Sequence, residues 1–176
     1  LTVEFVKYIS QQWNKHNKES QILKIGVICP YAAQAQIINS MLQHREETYQ
    51  NIEIVTGTIH GFQGDECDVI ITVLNAPKGL NKSSSEKIFL NRKNILNVAI
   101  SRARDYLFVL MPHADTEGYA NLREIKRIGA IGTTHCKNEV SVFNADIIEK
   151  TLFNDFNFIE KNTFVTSHQM SNIYTD

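Results

Sequence analysis

Cysteine is scarce: Cys29, Cys67 and Cys136 are the three in 176 residues, far apart and without a C-x-x-C pair. That spacing argues against a zinc site and against a disulfide framework, and it fits a reducing cytoplasm. An excess of either charge is also missing, with Lys plus Arg at 18 against Asp plus Glu at 19 and a net charge of −1. No chain-wide basic field draws nucleic acid or a membrane, so any such binding must come from a local groove. No apolar run reaches the ~20 residues needed to span a bilayer, and the N-terminus has no basic segment followed by an apolar one. No membrane partner is expected. The sequence lacks G-x-x-x-x-G-K-[ST] and a paired acidic magnesium motif, so no loop of its own cradles the outer phosphates of a nucleotide. What it does have is 43% hydrophobic residues, enough for one sizeable core and a small appendage. Leu1 is an unusual natural start, and a longer parent chain is expected.

Along the chain, apolar runs alternate with amphipathic stretches. Residues 1–17 read as a helix with Phe5, Tyr8, Ile9 and Trp13 on one face. Residues 22–29 form an apolar strand ended by Pro30, which has no donor for a ladder. A helix over 32–44 carries Ala35, Ile38, Met41 and Leu42 on one face, and residues 52–55 give a second, short strand. Residues 68–74, DVIITVL, are nearly all apolar and β-branched, which suits a central strand covered on both faces. Residues 75–89 read as a loop. A helix over 90–104 buries Leu96, Ala99, Ile100 and Ala103 and leads into a fourth strand over 106–111. The last helices are expected over 116–128, punctuated afterwards by Gly129 and Gly132, and over 146–153 against the sheet; residues 166–176 read as a linker. Strands alternating with helices imply an α/β fold, a parallel sheet with helices on both faces. Such an open sheet receives its ligands beyond the carboxyl ends of the strands.

The chemistry gathers in two stretches, IEIVTGTIHGFQGDECDVIITVL at 52–74 and NILNVAISRARDYLFVL at 94–110. In the first, Gly64 lets a phosphate approach the backbone closely and leaves an amide N–H free to donate. Glu66 cannot welcome phosphate; it suits a ribose hydroxyl, an ordered water or a cationic partner. Thr58 and His60 offer hydroxyl and imidazole groups for phosphate positioning, although a lone histidine is as readily a satisfied loop residue. Tyr31 either stacks on a base or packs under the following helix. Arg102 and Arg104, two positions apart on a helix, would point about 200° from one another.

Three motifs occur in order: Pro30-Tyr31-x-x-Gln34, Thr58-x-His60-x-Phe62-Gln63-Gly64-x-Glu66-x-Asp68, and Asn97-Val98-Ala99-Ile100-Ser101-Arg102-Ala103-Arg104. Together, over residues 22–112, they resemble motifs IV, V and VI of superfamily 1 helicases, in the branch that includes the nonsense-mediated-decay RNA helicase and its bacterial relatives. The resemblance implies a RecA-like (P-loop NTPase-type) second domain lacking its own P-loop. Residues 1–130 would form that domain and residues 131–176 an extension, partly packed and partly linker. It implies ATP with Mg2+ as cofactor, bound mainly by an upstream RecA-like domain of the same polypeptide, and single-stranded DNA or RNA as partner. Gln63, Gly64 and Glu66 would face the nucleotide. Arg102 would be catalytic, an arginine finger placed where negative charge develops on the γ-phosphate, and Arg104 structural or salt-bridging. Pro30, Tyr31, Thr58, His60 and Ser101 would contact or couple to the nucleic acid. No metal site is expected in this chain. A non-catalytic RecA-like scaffold or nucleic-acid-binding module is the alternative. An ATP-dependent nuclease would need a carboxylate cluster that these residues do not supply.

Overall fold

The computed structural model describes residues 1–17, 21–44, 49–62, 66–74, 90, 93–112, 119–135 and 140–154. The expected loop at 75–89, the segment 166–176, and Gln63 and Gly64 lie outside them, as does the side chain of Leu96. Four strands form one parallel sheet: β1 (Leu23–Cys29), β2 (Ile52–Thr58), β3 (Cys67–Val73) and β4 (Ala103–Leu110), in the order β2-β1-β3-β4. The two most apolar runs, β1 and β3, are therefore central, as their composition requires. Five helices accompany them: α1 (Thr2–His16), α2 (Ala32–Gln43), α3 (Lys93–Ile100), α4 (Ala120–His135) and α5 (Ala145–Phe153).

The β1-α2-β2 and β3-α3-β4 units step outward from the centre in opposite directions. Right-handed crossovers then put their helices on opposite faces. On one face Val3 and Val6 of α1 and Ala35, Ile38 and Leu42 of α2 bury Leu23, Ile25, Val27, Val69, Ile71 and Val73. On the other, Ala99 of α3 packs with Ile28, Ile59, Phe62, Cys67 and Ile70. A third cluster joins Leu74 and Leu90 to Tyr119 and Leu122 at the start of α4, where Asn121 Nδ2 donates to the Leu90 carbonyl at 2.6 Å.

Several elements differ from their sequence reading, each for a local reason. The buried stripe of α1 is centred on Val3, Val6 and Ser10, with Phe5, Ile9 and Trp13 flanking it; Ser10 is tolerated because its hydroxyl donates to the Val6 carbonyl at 2.8 Å. Strand β2 does not stop at Val55. Thr56, Gly57 and Thr58 continue it by pairing with Val27, Ile28 and Cys29. The helix expected over 90–104 ends at Ile100, which is exposed, and Ala103 and Arg104 belong to β4. Here the pairing of Ala103 with Cys67 outweighs the helical pattern. Helix α4 runs through Gly129 and Gly132, and is continuous across 130 and 131. At Gly132 an added Cβ would lie 2.8 Å from Val140, so the glycine admits the returning chain rather than ending the helix. Helix α5, capped by the Asn144 side chain accepting from the Ile147 amide at 3.0 Å and closed by left-handed Asn154, meets α1.

No helix among the described residues is long and apolar enough to cross a membrane. Cys29 closes β1 fully buried, and burial pushes its thiol up to about 12. Being raised, it stays a neutral thiol throughout the physiological range, and thiolate is the reactive species. Iodoacetamide at pH 8 is expected to leave Cys29 unlabelled in the native protein and to label it after unfolding, as peptide mass mapping would read. Native labelling at Cys29 would contradict the burial.

Candidate nucleotide and nucleic-acid site

Two edges of the sheet carry the candidate residues, and they face opposite ways. Residues 59–62 form one turn at the carboxyl end of β2, the Phe62 amide donating to the Thr58 carbonyl, and Glu66 immediately precedes β3. Glu66 therefore stands at the amino edge of the sheet. Arg102 stands there too, in the turn between α3 and β4. Its carbonyl accepts from the Cys67 amide at 3.1 Å, which ties the two turns together. Glu66 and Arg102 thus lie at the edge opposite the carboxyl ends of the strands.

Charge is arranged in a row along this amino edge. Arg104 Nε lies 3.4 Å from Glu66 Oε2, and its Nη1 lies 3.6 Å from Asp68 Oδ1. Asp68 Oδ2 accepts from the Lys24 amide at 2.8 Å, and Lys24 Nζ lies 3.6 Å from Glu53 Oε1. Arg104 is thus a salt-bridging residue on a strand, not a helix residue turned away from Arg102. Among the described residues, Arg102 Nε is buried without a hydrogen-bond partner. A buried donor left unpaired costs about 1–3 kcal/mol, which an arriving anion would remove. Ser101 shares this edge, its amide donating to the Asn97 carbonyl at 3.0 Å and its hydroxyl to Val98 at 3.3 Å.

At the carboxyl edge, Pro30 and Tyr31 follow β1 while Thr58 and His60 end β2. Cys29 is opposite Thr58, and the Ile59 amide donates to the Cys29 carbonyl at 3.2 Å, extending the ladder by one residue. Thr58 organises the turn: its hydroxyl accepts from the Gly61 amide at 3.2 Å and its carbonyl from the Phe62 amide at 3.1 Å. His60 is exposed above it. Tyr31 is half-buried, and burial together with the neighbouring Tyr119 phenol raises its hydroxyl above the ordinary phenol range. Seven-residue strands separate the two edges by about 20 Å. Ser101 is accordingly not brought together with Tyr31, Thr58 and His60.

Sequence reasoning missed a shallow cleft of about 230 Å3 between α2 and β2, lined by Ala32, Ala35, Gln36, Asn39, Thr56, Gly57 and Thr58. Its signal lay in the alternation of Thr56 and Thr58, which places both on one face once β2 extends to residue 58. Among the described residues no group of three or more His, Cys, Asp or Glu could hold a metal ion.

A four-stranded parallel sheet with helices on both faces is the architecture of a RecA-like domain. The family described as AAA domain matches residues 1–114, and the chain belongs to it. It stands with superfamily 1 helicases, in the C-terminal RecA-like position. It is 42% identical over 89 residues to the DNA polymerase alpha-associated DNA helicase A of Saccharomyces cerevisiae, covering 49% of this chain and 12% of that protein. It is 37% identical over 94 residues to a regulator of nonsense transcripts 1 homolog of Arabidopsis thaliana, covering 49% of this chain and 7% of the relative. Helicase SEN1 of Saccharomyces cerevisiae is 32% identical over 111 residues, 62% of this chain and 5% of its own length. The chain thus spans a small part of these relatives.

Proposed function

We propose that this chain is the C-terminal motor domain of an ATP-dependent DNA or RNA helicase or translocase. The observation that carries the proposal is the Nε of Arg102, buried and without a hydrogen-bond partner among the described residues, on the same amino edge as Glu66, with the Arg102 carbonyl accepting from the Cys67 amide. A guanidinium presented from outside a nucleotide's own phosphate loop suits an arginine finger, because it can meet charge that develops on a phosphate held elsewhere. ATP with Mg2+ would be held mainly by an upstream RecA-like domain of the same polypeptide, and it supplies the phosphoryl group that is transferred to water. From this chain Arg102 would stabilise the developing charge, Gln63 and Gly64 would donate toward the nucleotide, and Glu66 would exchange its Arg104 partner for a ribose hydroxyl. Arg104 would hold Glu66 ready.

The carboxyl edge would hold the strand. Thr58 and His60 suit its phosphates, Tyr31 a base, and Pro30 fixes the entry of that tyrosine. Ser101, next to Arg102, would couple the nucleotide edge to α3 rather than touch the strand. The free thiols of Cys29 and Cys67 are compatible with a cytoplasmic setting.

The test is ATP turnover by the longer protein that carries this domain, with single-stranded DNA and RNA supplied separately. Turnover stimulated several-fold by one strand type is expected, and that type names the substrate. No turnover with either strand would instead identify a non-catalytic RecA-like scaffold.

A further inference from the structure

Among the described residues, the lining of the cleft between α2 and β2 carries no charged side chain. The cleft is lined by two carboxamides, Gln36 and Asn39, two threonines, Thr56 and Thr58, and the small residues Ala32, Ala35 and Gly57. Phosphate is a poor match for this lining, because nothing in it supplies positive charge. The volume of about 230 Å3 falls below the roughly 300–1,000 Å3 of sites for drug-sized ligands, which suits one planar heterocycle rather than a whole nucleotide. Thr56 is one of the lining residues, and its hydroxyl is buried with no hydrogen-bond partner among the described residues. Gln36 is exposed at the mouth and Asn39 half-buried behind it, one helical turn apart on the same side of α2.

We infer that this cleft takes an unstacked base of a bound single strand, with adenine preferred, and that Gln36 and Asn39 read its edge. A carboxamide presents a donor and an acceptor side by side, the arrangement that pairs with the N6 amino group and N7 of adenine. Single strands expose those edges because their bases can be splayed out. Thr58 joins the cleft to the turn below His60, so a strand whose phosphates rest on that turn has a base within reach. The inference rests on the proposed strand-binding role of the carboxyl edge and adds base preference to it.

The test measures binding of the longer protein to fluorescein-labelled oligodeoxyadenylate, oligodeoxythymidylate and an abasic strand of equal length, by anisotropy in constant salt. Wild-type protein is expected to bind oligodeoxyadenylate about tenfold tighter than the abasic strand. Gln36→Ala and Asn39→Ala together are expected to remove most of that difference and leave abasic affinity unchanged. Alanine favours the helix at both positions, so α2 should persist in the double variant. Equal binding of wild type to all three strands, or equal weakening of all three by the double variant, would overturn the base pocket while leaving strand binding in place. Failure to bind any strand would overturn the pocket and the strand-binding role together.

Discussion

Replacing Arg102 with alanine in the longer protein is expected to lower strand-stimulated ATP turnover by about 10^3-fold or more, the scale associated with arginine fingers. The loss should fall on kcat with little change in KM, because the guanidinium is needed where charge develops and contributes less to the bound ground state. Lysine should not restore it, since a point charge lacks the planar fork. Folding should survive the change. The structural tie at this position runs through the Arg102 carbonyl, which accepts from Cys67 and is kept by any residue. Arg104→Ala is the control on the same edge: its pair with Glu66 is exposed on both sides, while Asp68 is half-buried, and exposed pairs contribute about 0–1 kcal/mol. Steady-state kinetics with circular dichroism on both variants decides the matter. A loss at Arg102 smaller than tenfold, or no larger than that at Arg104, would remove the finger assignment.

What the sequence made legible was what depends on short-range pattern. The apolar runs that became β1 and β3 and the helix after Pro30-Tyr31 follow from composition and spacing. Long-range pairing was the part that stayed hidden. Ala103 and Arg104 continue a helical pattern, and only the opposing Cys67 makes them a strand. Thr56, Gly57 and Thr58 look like loop until Val27, Ile28 and Cys29 lie beside them. The same limit governs the site. Motif order cannot tell which end of a strand a residue occupies, so Ser101 was grouped with Thr58 although the sheet sets them at opposite edges. Gly132 shows the reverse error, since it stands within α4 where Val140 approaches.

The second large effect concerns Phe62, at the centre of the motif insert. Its ring is 2% exposed and lies over β1 and β2. Two glycines make room for it: a Cβ at Gly57 would come within 3.1 Å of the ring. At Gly26 an added Cβ would be 2.6 Å from Ile70 Cδ1, 2.9 Å from Phe62 Cε1 and 3.0 Å from Cys67 Sγ. Phe62→Ala should therefore destabilise the domain by about 3–5 kcal/mol, a large-to-small change in a packed core, and lower the melting temperature by roughly 10 °C or more. Gly26→Val should destabilise from the opposite direction by overpacking, about 1–3 kcal/mol or more. Because both act on one contact, Gly26→Ala combined with Phe62→Leu should cost less than the sum of the two single changes. Thermal melts of Phe62→Ala, Gly26→Val, Gly26→Ala, Phe62→Leu and the double variant test this, and a Phe62→Ala loss below about 1 kcal/mol would show that the ring is not the anchor. If it is, Phe62 also acts on function, because it fixes the start of the path to Glu66. Phe62→Leu, which keeps most of the volume, should then leave the fold nearly as stable while weakening nucleotide binding in the longer protein, a separation that a purely structural role would not produce.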